Sequence, residues 1–377
     1  MDQWTPPNNE FPAPKPGEPA IHRAARLGDA DELRRLASEG EDLDSVFDIA
    51  LAPRDYSYCT PLMVAAGSGD GADVATVHLL LDLGADPAIV CGTNSAASMA
   101  VRGLGWNYRP GGDIDRLKLL LDAGSPVAGD TYTANRILCD AAGFGNIEMV
   151  KALTDYGLDR SCDWDTADQQ LASFSFEIPL FTAAESGSKE CVQHLLQIGV
   201  NPLRRDNSGR TALYYAGSLE VVRLLVDSGL PLEDEDEYGW SPLTNAVGDG
   251  MDSFDRIKWL VEAGANVNGT HDRGYTVFMT AVSSSERNVE ILRFLVESGA
   301  NPHSVSELGY NAFHASIDVN GPDANTAESI RSVMRYLKSL RVDINRKNQS
   351  GNTPLALARL RGTKLEYDVL KELGGRG

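Results

Sequence analysis

Residues 290–302 read EILRFLVESGANP, residues 256–268 read RIKWLVEAGANVN and residues 75–87 read ATVHLLLDLGADP. Each is a short run with apolar residues at helical spacing, closed by a glycine and a polar turn. The phrase returns as DELRRLASEGEDL at 31–43, DRLKLLLDAGSPV at 115–127, EMVKALTDYGLDR at 148–160, ECVQHLLQIGVNP at 190–202 and EVVRLLVDSGLPL at 220–232. It ends with RSVMRYLKSLRVDIN at 331–345 and YDVLKELGG at 367–375. The closing glycines are Gly40, Gly84, Gly124, Gly157, Gly199, Gly229, Gly264, Gly299 and Gly374, and Arg341 holds that place in the ninth unit. Glycine accepts the left-handed backbone that ends a helix, so Arg341 should be strained, or its turn should differ. Ten units with a base length near 33 residues, some enlarged and one shortened, mark a repeat protein.

Ahead of each run lies a first helix with its own signature. Cys59-Thr60-Pro61-Leu62-Met63-Val64-Ala65-Ala66 is the strongest, and Ser241-Pro242-Leu243, Thr353-Pro354-Leu355 and Thr211-Ala212-Leu213 are clear. His22 and His314 stand in Ala20-Ile21-His22-Arg23-Ala24-Ala25 and Asn311-Ala312-Phe313-His314-Ala315. These motifs, with Gly84-Ala85-Asp86, Gly264-Ala265-Asn266 and Gly299-Ala300-Asn301, resemble the T-P-L-H-x-A helix and Gly-Ala-Asp/Asn turn of the ankyrin repeat family. The resemblance implies an all-α, ankyrin-type solenoid of stacked helix pairs joined by short hairpin turns over residues 20–374. It also implies protein binding in the groove made by the hairpins and first helices, with His22 and His314 structural. Thr caps the first helix and Pro fits its first turn. Leucines such as Leu224 and Leu225 should face the neighbouring unit, because one helix pair cannot bury its own apolar face.

Residues 1–19 carry six prolines and read as a mobile tail, with 375–377 as a second short tail. Insertions at 45–59, 101–112, 160–177, 247–254 and 317–328 enlarge particular units, and unit six loses three residues around Tyr214 and Tyr215. Trp106, Tyr108 and Trp164 lie in two of these insertions. Each is read either as an anchor for a partner or as a plug on its own repeat.

The residue between each hairpin glycine and the following first helix is expected to point into the groove. In successive units it is Arg210, Trp240, Tyr275, Tyr310 and Asn352, with Tyr238 two places before Trp240. Tyr, Trp and Arg dominate interface hot spots. Beside Trp240 runs Glu233-Asp234-Glu235-Asp236-Glu237. Five like charges in a row form either a solvated tip or the rim of a site for a basic segment.

The formal charge of -20, from 54 acidic and 34 basic residues, argues against nucleic acid and against an anionic membrane as partner. No apolar run of 18 residues is present, and MDQWTPPNNE has neither a basic nor an apolar leader segment. Five scattered cysteines with no CxxC pair imply reduced thiols, a cytoplasmic location and neither disulfide framework nor zinc. Gly67-Ser68-Gly69-Asp70-Gly71 lacks a phosphate-binding Lys, and the acid run departs from a calcium loop at Tyr238 and Asn245. No cofactor, metal site or catalytic residue is therefore assigned. The leading expectation is a monomeric, non-enzymatic scaffold for a basic or amphipathic protein partner. Two others stay open: an inhibitor or immunity-type protein blocking a basic partner, and an enzyme with its site between the inserted loops.

Overall fold

In the computed structural model the described residues are 17–48, 58–69, 71–103, 113–128, 131–156, 178–249, 254–284, 288–317 and 324–377. The chain divides into two compact units. The first holds the pairs α1 (Ala20–Leu27) and α2 (Ala30–Ser38), α3 (Pro61–Gly67) and α4 (Val74–Asp82), α5 (Ala96–Arg102) and α6 (Ile114–Asp122), and α7 (Thr131–Gly143) and α8 (Ile147–Asp155), followed by α9 (Pro179–Glu185). Helix α10 (Lys189–Gln197) is divided between the units. The second unit holds a 3₁₀ turn (Ala212–Tyr215) with α11 (Leu219–Asp227), then α12 (Pro242–Asp249) with α13 (Phe254–Glu262) and α14 (Val277–Ser283) with α15 (Val289–Glu297). It closes with α16 (Ala312–Ala315) and α17 (Ala324–Ser339), and α18 (Pro354–Arg361) and α19 (Lys364–Glu372). Strand structure among the described residues is confined to two-residue pairs. These are β1 (Phe47–Asp48) with β2 (Tyr58–Cys59), and β3 (Thr270–His271) with β4 (Tyr275–Thr276), both antiparallel.

Local chemistry sets these elements. The hydroxyls of Thr60, Thr276 and Thr353 accept from the backbone N–H of Met63, Met279 and Ala356, and Asn311 accepts from His314 N. Pro61 and Pro354 occupy first turns, where no donor is lost. The closing glycines among the described residues take φ of 85 to 104°. Arg341 adopts φ 59° in the same place, so its Cβ carries the strain the sequence implied. In the Gly-rich stretch before α4, Gly71 packs against the end of α1, where a Cβ would stand 2.5 Å from the Leu27 carbonyl oxygen. A Cβ on Gly28 would stand 2.6 Å from the carbonyl oxygen of Gly71, so both positions require glycine.

Neighbouring pairs share their cores. Ala24, Ala25, Leu62, Ala65 and Met99 are buried in the first unit, and Leu213, Val221, Leu225, Leu243, Leu260, Phe278, Leu292 and Phe313 in the second. Side chains also reach across to the next pair's backbone. His22 Nε2 bonds the Cys59 carbonyl at 3.0 Å, and His314 Nε2 bonds the Asn352 carbonyl at 3.1 Å. Arg116, itself buried, donates to the carbonyls of Ala65, Ala66, Ser68 and Ala72, closing the C-terminal end of α3. Arg256 does the same for the shortened unit through the carbonyls of Tyr214 and Ala216. At the hairpin tips, Asp44, Glu233, Asn268 and Asn345 accept from the backbone N–H of Asp86, Asn266, Asn301 and Arg376.

One expectation is corrected. Leu225 is fully buried, but Leu224 is only half-buried, because Val221, Val222 and Leu225 fill one arc of α11 and Leu224 falls at its edge. The deletion leaves room for only a single 3₁₀ turn, filled by Tyr214 at 1% exposure. Cys59, Cys91, Cys139 and Cys191 are free thiols, and burial pushes Cys59 up to about 12. Cys162 lies outside the described residues.

Leu225→Ala should cost about 2–5 kcal/mol in urea unfolding, and Leu224→Ala less than half of that. Equal losses would place Leu224 in the shared core after all. Burial lowers the pKa of His22, His194, His271 and His314. The unfolded chain then takes up protons that the folded chain refuses, so stability is full above the unfolded value and falls with pH. Unfolding free energy should decline from about pH 6.5 downward, ahead of the carboxylates, and a profile flat to about pH 5.5 would contradict this.

Candidate functional site

The hairpins of the second unit share one construction. Asp206 Oδ1 accepts from Ser208 N at 2.8 Å and Arg210 N at 2.9 Å. Asp236 Oδ1 accepts from Tyr238 N at 2.9 Å and Trp240 N at 3.0 Å. Asn348 Oδ1 accepts from Ser350 N and Asn352 N, each at 3.0 Å, and Ser306 Oγ from Tyr310 N at 3.2 Å. A short side-chain oxygen thus fixes the backbone of Arg210, Trp240, Tyr310 and Asn352. Tips also zip together: Glu237 N donates to Ser208 O, Glu307 N to Arg273 O and Gln349 N to Leu308 O.

His271 occupies this organising place in the third of these hairpins. An imidazole cannot accept both tip N–H groups, and the hairpin there becomes the β3–β4 pair with Arg273 at φ 58°. The His271 ring instead packs 5.3 Å from the Trp240 ring and 6.1 Å from the Tyr275 ring. Tyr275 meets Tyr310 edge-on at 6.2 Å, and Tyr310 stacks on His314 at 5.2 Å and 10°. Trp240, Tyr275 and Tyr310 therefore lie in one aromatic row, as the slot spacing implied, with His271 and His314 as members the spacing did not reveal. Trp240, His271, Tyr275 and Tyr310 are half-buried. The Trp240 ring rests on α12 at Gly248, where a Cβ would stand 2.6 Å from its Cζ3.

The acid run does not behave as five equal charges. Asp236 has a side chain at 0% exposure, and Arg210 Nε pairs with it at 3.1 Å. Asp234 pairs with Arg205 at 2.5 Å, and Glu233 Oε1 accepts from Asn266 N at 2.7 Å. Glu235 and Glu237 point outward, exposed, and Tyr238 beside them is 65% exposed. Arg210 is half-buried, spent on Asp236 rather than presented to solvent. Tyr214 braces the same hairpin. Its hydroxyl lies 2.5 Å from the carbonyl oxygens of both Asp234 and Trp240, sharing one proton between them. Burial and the nearby charges of Asp236 and Asp234 push its phenol pKa up. Tyr215 donates to Asp206 at 2.6 Å.

Trp106, Tyr108 and Trp164 lie outside the described residues. In the first unit a shallow cavity of about 330 Å³ opens between the ends of α7 and α9. Its walls include Asp140 and Glu185, and Arg102 pairs with Asp140 at 2.8 Å. Among the described residues no three His, Cys, Asp or Glu side chains stand together to hold a metal ion, and no helix is long and apolar enough to cross a membrane.

A family model described as "Ankyrin repeats (3 copies)" matches residues 138–236 and 220–306, and one described as "Ankyrin repeat" matches residues 57–91. Among curated proteins, the chain is 25% identical over 213 residues to a mitochondrial disaggregase of Bos taurus, covering 56% of this chain and 23% of that protein. It is 38% identical over 72 residues to the glycerophosphocholine phosphodiesterase gde1 of Schizosaccharomyces pombe, covering 18% of this chain and 6% of that protein. The chain thus spans less than a quarter of the length of either relative. Among solved structures, the ankyrin repeat domain of Bcl-3 shares 24% identity at a TM-score of 0.45, covering 64% of this chain and 99% of that one. An ankyrin repeat domain from Acinetobacter baumannii AYE shares 24% at 0.41, covering 52% and 98%. With the family models matched over more than half of its length and the repeat visible in motif, turn and packing, the chain belongs to the ankyrin repeat family.

Proposed function

We propose that this protein is a non-enzymatic scaffold that docks a basic or amphipathic protein segment along the aromatic row of its second unit. The observation that carries the reading is the contiguity of four half-buried rings, Trp240, His271, Tyr275 and Tyr310. Half-buried rings in a row present apolar area that a partner segment can cover. Glu235 and Glu237 form the charged rim that steers a cationic segment inward, with Tyr238 as an outer contact. Arg210, Asp234, Asp236 and Glu233 act in this reading by holding the hairpin in place. The aromatic residues of the inserted loops, Trp106, Tyr108 and Trp164, supply a second contact. The protein acts as a monomer in the cytoplasm, with residues 20–374 as its repeat-bearing part and 1–19 and 375–377 as flanking tails.

The test begins with capture of the partner from native lysate and its identification by mass spectrometry, followed by binding kinetics. Trp240→Ala should weaken the complex by about thirtyfold, chiefly through faster dissociation. The Glu235→Gln/Glu237→Gln variant should keep its dissociation rate, associate more slowly and lose salt dependence. A partner that binds both variants like the wild type docks elsewhere, and the inserted loops at 101–112 and 160–177 become the site to test.

A further inference from the structure

Two polar groups at the Trp240 end of the row have no partner. Asn245 is 2% exposed, and its Nδ2 has no hydrogen-bond acceptor. His271 Nδ1 is buried and equally unmatched. The protonation of this ring follows from its surroundings. Thr280 Oγ1 lies 3.2 Å from the Thr276 carbonyl and 2.6 Å from His271 Nε2, and when its proton goes to the carbonyl Nε2 donates to it. In that tautomer Nδ1 is an acceptor, and burial favours the neutral ring. Asn245 contributes a donor.

The Trp240 ring touches both neighbourhoods. It packs on His271 and rests on Gly248, one helical turn beyond Asn245 on the same face of α12. Thr280, the partner of His271, stands against the same glycine: its Cγ2 would lie 3.4 Å from a Cβ there. An unsatisfied buried donor and an unsatisfied acceptor near the indole cost free energy that hydrogen-bond partners for them would recover. One donor and one acceptor in a half-apolar groove match the C=O and N–H of a peptide backbone, as added strands exploit at sheet edges.

We propose that Trp240 is a movable cover over a main-chain-reading subsite. When it swings aside, Asn245 Nδ2 donates to a carbonyl and His271 Nδ1 accepts an N–H from an extended peptide segment. The proposal deepens the docking reading and rests on it for the identity of the groove. Its own test needs no partner protein.

The probe is the uncharged blocked residue acetyl-alanine-methylamide, which offers two peptide units and no side-chain charge. It is titrated into the full chain while the Asn245 side-chain amide and the His271 ring nitrogens are followed by NMR. Gly248→Ala pushes the indole off its seat while favouring the helix, and Trp240→Ala removes it. Both variants should show saturable shifts at Asn245 and His271, with affinity about tenfold or more above wild type, since the open state no longer has to be populated first. Adding Asn245→Leu or His271→Phe to either variant should abolish the shifts. A lack of saturation in both opened variants, with unchanged helical circular dichroism, overturns the subsite, as do shifts that survive both added substitutions. Failure of the docking reading would look different: the probe would bind as described while the captured partner ignored Trp240.

Discussion

A helix pair of this size cannot bury its own apolar face, so each pair must complete its structure with groups from the next. The side-chain bonds that cross between pairs make this concrete. His22, Arg116, His314 and Arg256 each satisfy a carbonyl that belongs to a neighbouring pair. Those carbonyls sit at helix ends or at the entrance to a first helix, where the backbone has no internal partner. Buried histidine and arginine therefore serve here as caps in trans. His314 uses both ring nitrogens in hydrogen bonds, and His22 uses Nε2.

The hairpins follow the same logic one layer out. A tip N–H from one hairpin bonds a carbonyl of the preceding one, and a side chain at the tip base reaches forward to the next backbone. The groove surface is then a rigid consequence of the stack rather than a set of independent loops. Trp240 shows how many constraints meet at one slot. Asp236 fixes its N–H, Tyr214 fixes its carbonyl, and the absence of a Cβ at Gly248 gives its ring a place to lie. The shortened unit belongs to this arrangement. Losing three residues brought a tyrosine into the core with its hydroxyl directed at the next hairpin.

The fold was legible in the sequence because its signals are local and repeated. The glycine after most second helices, the threonine before several first helices and the leucine pairs act within one unit, and their recurrence gives the period. The row Trp240, Tyr275 and Tyr310 was legible for the same reason: equal slots in stacked units become neighbours. His271 was not, because its meaning lies in a comparison among hairpins. Asp206, Asp236, Ser306 and Asn348 hold the organising place with an oxygen, and His271 breaks that series. Aligning the hairpins rather than the helices would have exposed it. Leu224 was misread because a Leu-Leu pair suggests two equal partners, while a helix offers them different arcs. Gly248 and Asn245 gave no signal of their own, since what matters there is the ring and the open valence beside them.

The charge of the chain takes on a different weight once its bonds are assigned. A run of five acids suggests a strong negative field, yet Asp234 and Asp236 are neutralised by Arg205 and Arg210, and Glu233 is tied to a backbone N–H. Two buried or tethered carboxylates beside arginines contribute little at a distance, because the opposite charges nearly cancel beyond a Debye length of about 10 Å. What projects from this hairpin is the pair Glu235 and Glu237. Alternation along the tip puts Asp234 and Asp236 on one side and Glu233, Glu235 and Glu237 on the other, and of these three Glu233 is tied to Asn266 N. One half of the run therefore builds the hairpin that holds Trp240, and the other half faces whatever approaches it. The acid run is in this way divided, residue by residue, between side chains that build the hairpin and side chains that project from it.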